Sequence, residues 1–187
     1  EELRGALEAI HGSVRPEDAL GEVLKQLGRV VHADFSLVAV AEPGGGLRVD
    51  AVRGAPPDGL VGALLADPRV ERACQERQAV LIRDADEEGA LALPGAPALR
   101  SWVALPLLLE GEVVGLLLAG RTTLDTFAEE EILRAKAVAF WAAAALRRAQ
   151  LLAQVRRYAT LLEQVVEVDQ RVFRGDGPEA LSPAILE

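Results

Sequence analysis

The sequence predicts one α/β (α+β) domain with a central antiparallel sheet and long helices at both ends. Two pairs of apolar, strand-like segments are each joined by a short turn that contains glycine, which is the pattern of β-hairpins. Both ends of the chain instead carry apolar residues at helical spacing. With 187 residues, the chain has room for one domain of about 150 residues and an extension.

The first helix-like segment covers residues 1–15 and has one apolar stripe. Its apolar residues recur at steps of four, three and four and therefore share one helix face: Leu3, Leu7, Ile10 and Val14. We expect this N-terminal helix to pair with a second copy of the chain. Pro16 then begins a new helix, which extends through Leu27 and covers the sheet.

The first hairpin is predicted from residues 36–42 and 47–54, which flank a Pro-Gly-Gly-Gly turn. Residues 84–99 combine acidic residues with glycine and proline, a composition that predicts a long irregular surface loop. Between the hairpin and this loop we expect, in order, a short helical piece at 61–66, a helix at 68–78 and a strand at 79–83.

The second hairpin is predicted from residues 101–109 and 113–120. Both strands are apolar on both faces, so we expect them in the centre of the sheet. Gly111 allows the tight turn between them, and Gly115 allows another group to approach the backbone closely. Pro106 removes a backbone donor at a strand end. These residues are expected to serve the fold rather than chemistry.

The final helix is predicted to start after Thr126 and to continue almost to residue 172. Thr126 is the expected N-cap, because Glu129 and Glu130 follow in the first turn. Residues 141–146 form the most apolar stretch of the chain and are expected to be buried in this helix.

The distal half of this helix keeps an apolar stripe that predicts a short coiled-coil seam with a second copy. Its residues step by four and three: Leu151, Val155, Tyr158, Leu162 and Val165. The alternative is a helix that folds back onto its own domain. The chain then divides into a dimerisation helix at 1–15, the sheet domain at 16–148, a coiled-coil signalling helix at 149–174, and a linker or the start of a following domain at 175–187.

Composition excludes several classes of function. The 29 acidic and 20 basic side chains give a net charge of −9, which opposes nucleic-acid binding. No apolar run reaches the roughly 18 residues that a membrane span requires. The single cysteine, Cys74, indicates a reducing compartment, so we expect a cytoplasmic location. Because the chain contains no methionine, it is also expected to be part of a longer protein.

Several short motifs occur in a characteristic order between residues 16 and 148. They are Arg100-Ser101, Ala104-Leu105-Pro106-Leu107, Gly111, Val114-Gly115-Leu116, and Phe127 followed by Glu130 and Glu131, with residues 78–84 leading into the central loop. In this order and spacing the sequence resembles a GAF domain. The resemblance implies a GAF/PAS-like fold: a six-stranded antiparallel sheet, helices on one face, and a sensory role in bacterial-type signalling.

The resemblance also implies a ligand pocket between the sheet and the irregular helices. Here the pocket would draw on the 84–99 loop and on Phe35, Leu37, Cys74, Arg83, Arg100 and Trp102. The two arginines and the tryptophan suit an anionic or aromatic ligand. Surface salt bridges and a core tryptophan explain the same residues equally well. The cofactor, if there is one, is unknown from the sequence.

Catalytic and metal-binding residues are not recognisable. His11 and His32 are the only histidines, and neither has a second ligand at metal spacing, although either one alone could bind haem. Free methionine sulfoxide reductases share the GAF fold but need several cysteines. Cys74 is more simply a small packed residue than a reactive thiol or a bilin attachment site.

We therefore expect a non-catalytic sensor or relay domain that forms a homodimer through its terminal helices and accepts an unknown small molecule or the movement of a neighbouring domain. The first alternative is a structural dimerisation module without a ligand. The second is a small redox enzyme. A short similarity between the segments near residues 7–24 and 166–186 also suggests that a second GAF-like domain follows.

Overall fold

A computed structural model of the chain describes residues 16–54 and 59–173. The N-terminal residues that are expected to form a dimer helix, Leu3, Leu7, Ile10 and Val14, lie outside the described residues, and so does segment 175–187. The helices are α1 (Pro16–Val30), α2 (Pro68–Glu76), α3 (Ala85–Glu88) and α4 (Glu129–Phe173). The strands are β1 (Phe35–Ala41), β2 (Leu47–Arg53), β3 (Val80–Ile82), β4 (Ser101–Leu109) and β5 (Glu112–Arg121).

Both predicted hairpins are confirmed, and their strands join in one antiparallel sheet with the order β2-β1-β5-β4-β3. The second hairpin occupies interior positions, as its apolar sequence predicts. Gly115 has the expected close neighbour, because a Cβ at this position would lie 2.5 Å from the carbonyl oxygen of Ala39. Strands β1 and β5 therefore pair closely where any larger residue would push them apart.

The six-stranded sheet is not confirmed, because the described residues contain five strands. Beside β2, where a sixth strand would pair, the chain makes a single β-bridge between Arg48 and Leu64. The prediction of a short helix at 61–66, the segment that contains Leu64, is wrong. Gly62 has a φ of +91°, which does not fit a right-handed helix, and its N–H donates to Val49 at 2.7 Å.

Helices cover both faces of the sheet, which corrects the expectation of helices on one face. Successive residues of a strand point to opposite faces, and β1 separates them into two apolar layers. Val38 and Val40 pack in the layer formed with α1 and α4. Leu37 and Ala39 pack in the layer formed with α2, α3 and the loop before β4. Among the described helices, only α1 and α4 share one face.

Helix α4 packs on the sheet through small residues, among them Ala135, Ala139 and Ala143, which allow the helix to lie close to the strands. It starts at Glu129, so the predicted N-cap at Thr126 is wrong. The carboxylate of Glu131 instead accepts the N–H of Ala128 at 3.0 Å, as the acidic residue of a capping box does.

The chain divides into two units, Glu1–Ala149 and Gln150–Glu187. In the second unit, Leu151, Val155 and Tyr158 are 49%, 64% and 59% exposed. Leu162 and Val165 lie within α4, but their side chains are outside the described residues. The helix thus reaches the predicted end, near residue 172.

Candidate functional site

Three of the six expected pocket residues form the floor of the apolar layer under the 84–99 loop. Phe35, Leu37 and Trp102 are at most 1% exposed, and Cys74 packs against the same layer. Phe35 of β1 and Trp102 of β4 both pair with Gly120 of β5, one from each side. The two aromatic side chains therefore lie in one row across the sheet, separated by a residue without a side chain.

The 84–99 loop, which we call the strap, fills the space over this glycine. A Cβ at residue 120 would overlap Cδ1 of Leu99 and would lie 2.9 Å from its Cδ2. Leu93 and Leu99 of the strap are both buried in the apolar layer. The space over Gly120, between Phe35 and Trp102, is thus occupied by Leu99 of the chain itself.

Asp67 holds the strap against α2. This residue is fully buried and is the N-cap of α2, where its carboxylate accepts the N–H of Arg69 at 2.9 Å. The same carboxylate accepts hydrogen bonds from Nε and Nη2 of Arg69, at 3.0 and 2.7 Å. It also accepts a hydrogen bond from the N–H of Ala92 in the strap, at 2.9 Å. A buried carboxylate is stable when it is paired and hydrogen-bonded in this way.

Arg69 also connects α2 to the strap, through its side chain. Its guanidinium donates to the carbonyl oxygens of Glu88, Gly89 and Ala90 at 2.7–2.9 Å. It also lies over the ring of Trp102, 4.9 Å from the ring centroid, in the geometry of a cation–π contact. One arginine thus joins the first half of the strap, the buried Asp67 and the floor of the layer.

The electrostatics of this pair favour the ionised forms. Burial by itself raises the pKa of the Asp67 carboxyl, but the hydrogen bonds from the Arg69 side chain and from the N–H groups of Ala92 and Arg69 outweigh burial and hold this pKa below its ordinary value. The hydrogen bond to Asp67 likewise raises the pKa of Arg69. The connection is therefore an ion pair at neutral pH.

The other two expected pocket residues, Arg83 and Arg100, directly precede and follow the strap and are not among the residues of the apolar layer. Arg100 is half-buried, and its Nη2 lies 3.5 Å from Asp84 and 3.2 Å from Asp86. Arg83 is exposed, and its backbone N–H donates to Glu88 at 2.8 Å. Salt bridges thus account for Arg100, as one of the two sequence-based interpretations predicted.

Two buried polar atoms at this site have no hydrogen-bond partner within the described part of the chain. They are Nε1 of Trp102 and Nε of Arg100. A cavity of about 430 Å³ opens beside the strap, and its lining includes Ala66, Leu91 and Pro94 but none of the six expected residues. Burial raises the pKa of the Cys74 thiol, which keeps it protonated and weakly nucleophilic.

A buried arginine that no sequence motif indicated anchors the start of α4. Arg121 is 6% exposed and donates to the carbonyl oxygens of His32, Asp125 and Thr126 at 2.7–3.1 Å. Its Nη2 also donates to Glu131 at 2.7 Å. The sequence did contain a signal for this contact. An arginine ends an apolar strand, and a glutamate follows ten residues later in the next helix.

Neither a metal centre nor a membrane span is found in the described ranges. Residues 16–54 and 59–173 contain no cluster of three His, Cys, Asp or Glu residues that would hold a metal ion. None of the helices in these ranges has both the length and the apolar character needed to cross a bilayer.

The sequence model of the GAF domain family matches residues 13–147, which include the whole sheet and the strap. The chain belongs to the GAF domain family. Among curated proteins, none is similar enough in sequence to be identified as a relative.

Solved GAF domains confirm the fold. The chain is similar to the GAF domain of an Acinetobacter phosphoenolpyruvate-protein phosphotransferase, with 19% identity and a TM-score of 0.65 over 80% of this chain and 92% of that one. It is also similar to the GAF domain of a two-component sensor histidine kinase from Bacillus halodurans, with 17% identity and a TM-score of 0.63 over 75% and 98% of the two chains.

One similar structure is an enzyme. A type II free methionine-R-sulfoxide reductase from Thermoplasma acidophilum is 20% identical, with a TM-score of 0.59 over 71% of this chain and 95% of that one. At such identities the likeness establishes the shared GAF fold and not a shared activity.

Proposed function

We propose that this GAF domain is a non-catalytic sensor or relay module of a cytoplasmic, multidomain signalling protein. It couples the binding of a small molecule, or the movement of a neighbouring domain, to a dimeric helical output. The observation that carries this proposal is that α4 packs in the core with its first part and carries exposed apolar residues on its second part. The helix contributes Ala139 and Leu146 to the core, and it continues to Phe173 with Leu151, Val155 and Tyr158 exposed.

The exposed apolar residues of α4 have the spacing of a coiled-coil seam. The steps of four and three from Leu151 through Val155 to Tyr158 extend back to Trp141, which is 47% exposed, and Ala144, with Arg148 as the one interruption. The prediction that residues 141–146 are buried is therefore wrong at Trp141 and Ala144. Side chains of this kind are stabilised when a second helix covers them.

Light scattering tests the dimer. The chain of residues 1–187 is compared with a version that ends at Arg148, each over a tenfold range of concentration. We expect a dimer for the full chain and a monomer for the shortened chain, because the distal seam is removed. Two monomers would contradict the proposed output.

A structural dimerisation module without a ligand is the second candidate. The observation that favours it is Leu99, which fills the row between Phe35 and Trp102. The buried Nε1 of Trp102, a donor without an acceptor in the described part of the chain, favours a ligand instead. Thermal unfolding with a panel of metabolites separates the two candidates, because a ligand that binds only the native state raises the midpoint.

A redox enzyme of the free methionine sulfoxide reductase type is the third candidate, suggested by the Thermoplasma structure. The chain's one cysteine has a thiol pKa raised by burial, which disfavours the thiolate that such chemistry uses. Incubation with free methionine-R-sulfoxide and dithiothreitol should therefore give no methionine. Turnover that is lost in Cys74→Ala would overturn the non-catalytic proposal.

A further inference from the structure

A groove on the opposite side of the domain from the strap row has the features of a binding site. It has a volume of about 410 Å³ and lies where α4 passes the corner between α2 and β3. Its apolar walls include Leu105 and Leu108 of β4 and the ring of Phe140, which is 77% exposed. This volume is within the range of about 300–1,000 Å³ that is common for small-molecule sites.

Two exposed cations stand at this groove. Arg77 and Lys136 both line it, and none of the described residues that line it is acidic. Neither cation forms a salt bridge with a residue in the described ranges. In a chain with a net charge of −9, two unpaired cations beside one apolar groove provide local complementarity to an anion.

The backbone of Arg77 provides independent support. Arg77 follows the last residue of α2 in the left-handed conformation, with a φ of +54°. The N–H of Gln78 donates to the carbonyl oxygen of Ala73 at 3.0 Å, which completes a Schellman motif. Glycine is the residue that this position favours, since it has no side chain to strain the conformation. An arginine held here at an energetic cost indicates a use for its guanidinium.

We propose that this groove binds a small amphipathic carboxylate. The apolar body of the ligand packs on Leu105, Leu108 and Phe140, and its carboxylate interacts with Arg77 and Lys136. A peptide strand is a poorer occupant, because Pro106 has no N–H to offer along the open part of β4 beyond the residues that pair with β3. The site does not depend on the proposed relay function.

The groove also adjoins the proposed output helix. Lys136 and Phe140 are one turn apart on α4, so a ligand held between them and Arg77 contacts this helix directly. If the relay function holds, this groove is an input next to the output. If it fails, binding at the groove is still measurable by itself.

The probe is 2-naphthoate, with its methyl ester as the neutral comparison. Each is titrated into the ¹⁵N-labelled chain of residues 1–187, and amide chemical shifts are followed by NMR. We expect 2-naphthoate to shift the amides of Gln78, Ala79 and Leu108, and the ester to bind roughly three- to tenfold more weakly. Absence of binding, equal binding of the two probes, or shifts centred on Trp102 would overturn the proposal.

Substitutions at the two cations test the charge assignment. Arg77→Gly places the preferred residue in the left-handed position, so its unfolding midpoint should equal or exceed that of the unchanged chain. We expect this variant to bind 2-naphthoate roughly three- to tenfold more weakly. Lys136→Gln should weaken binding similarly, whereas Arg134→Gln, an exposed cation on the same helix outside the groove, should not. Equal losses for residues 134 and 136 would refute a specific site.

Discussion

The side chain of Leu99 lies against the backbone of Gly120, with Cγ only 3.1 Å from the position that a Cβ at residue 120 would take. Gly120 pairs with Phe35 on one side and Trp102 on the other. The leucine therefore fits between the two aromatic residues because the central strand has no side chain there. This contact determines how closely the strap lies on the sheet.

Gly120→Ala should loosen the strap. The added methyl group overlaps Leu99, and overpacking of this kind costs about 1–3 kcal/mol in the free energy of unfolding. Urea unfolding monitored by tryptophan fluorescence measures the loss. Gly44→Ala is the control, because a Cβ at Gly44 meets nothing within 4 Å. Equal stability of both variants would show that Leu99 moves aside freely.

Arg69→Ala should destabilise the domain much more than Arg72→Ala, although both residues lie on α2. Removing Arg69 leaves the buried Asp67 carboxylate without its cation and three strap carbonyls without a donor, a loss of about 3–5 kcal/mol. Arg72 pairs with Glu76 at the surface, where solvent screens the ion pair and its loss should change the stability little.

The two α2 variants are compared by chemical denaturation. Hydrogen exchange adds a local measurement, since the N–H of Ala92 should lose protection in Arg69→Ala only. Similar losses of stability in the two variants would contradict the assigned role of Arg69.

Acid should destabilise the domain partly through Asp67. Its folded-state pKa lies below the ordinary value of 3.8, so the unfolded chain takes up the proton first. The stabilisation is present above pH 3.8 and is lost as the pH falls through the folded-state pKa. The free energy of unfolding between about pH 6 and pH 3 should fall less steeply in Asp67→Asn. Asp34 and Glu131, whose pKa values are also lowered, leave a residual slope.

Arg121→Lys should not be a conservative change. The guanidinium donates to three carbonyl oxygens and to Glu131, and it lies 4.3 Å from the centroid of the Phe127 ring. An ammonium group cannot reproduce this planar set of donors, so we expect a loss of about 2–4 kcal/mol in the free energy of unfolding. Arg134→Lys at an exposed position of α4 is the control. A loss below that of the control would mean that α4 is anchored elsewhere.

Val155→Glu should prevent dimer formation through the distal seam. Val155 is 64% exposed in α4, and a carboxylate at this position would place a charge within the apolar seam. Gln150→Glu adds the same charge at a heptad position away from the seam and should leave the dimer intact. Sedimentation velocity of the 187-residue chain distinguishes the two outcomes. Equal dissociation in both variants would exclude this heptad register.

Local sequence patterns predicted the elements whose causes are local. The hairpins followed from strand-like segments and glycine turns, and α1 from Pro16 and its apolar spacing. Gly115 was correctly interpreted as a point of close approach. The predictions for 61–66 and Thr126 were wrong, because a positive φ at Gly62 and the return of Glu131 to Ala128 are not visible in residue spacing.

The site was predictable only in part. Phe35, Leu37 and Trp102 do share one layer, and their burial follows from the apolar sequences of β1 and β4. The contacts of Asp67 and Arg69 join residues about 20 positions apart, and Arg121 contacts His32 across 89 positions. Such contacts depend on where the strap and α4 return to the sheet, which no local pattern specifies.

From the sequence alone come the acidic charge, the single cysteine, the order of the elements and the motifs that resemble the GAF family. The tertiary structure alone decided that helices cover both faces, that Leu99 occupies the row beside Trp102, and that Trp141 is exposed. Periodicity shows which residues of an element share a face, since it depends on neighbours along the chain. Which faces meet, and which stay open, depends on distant segments that come together only on folding.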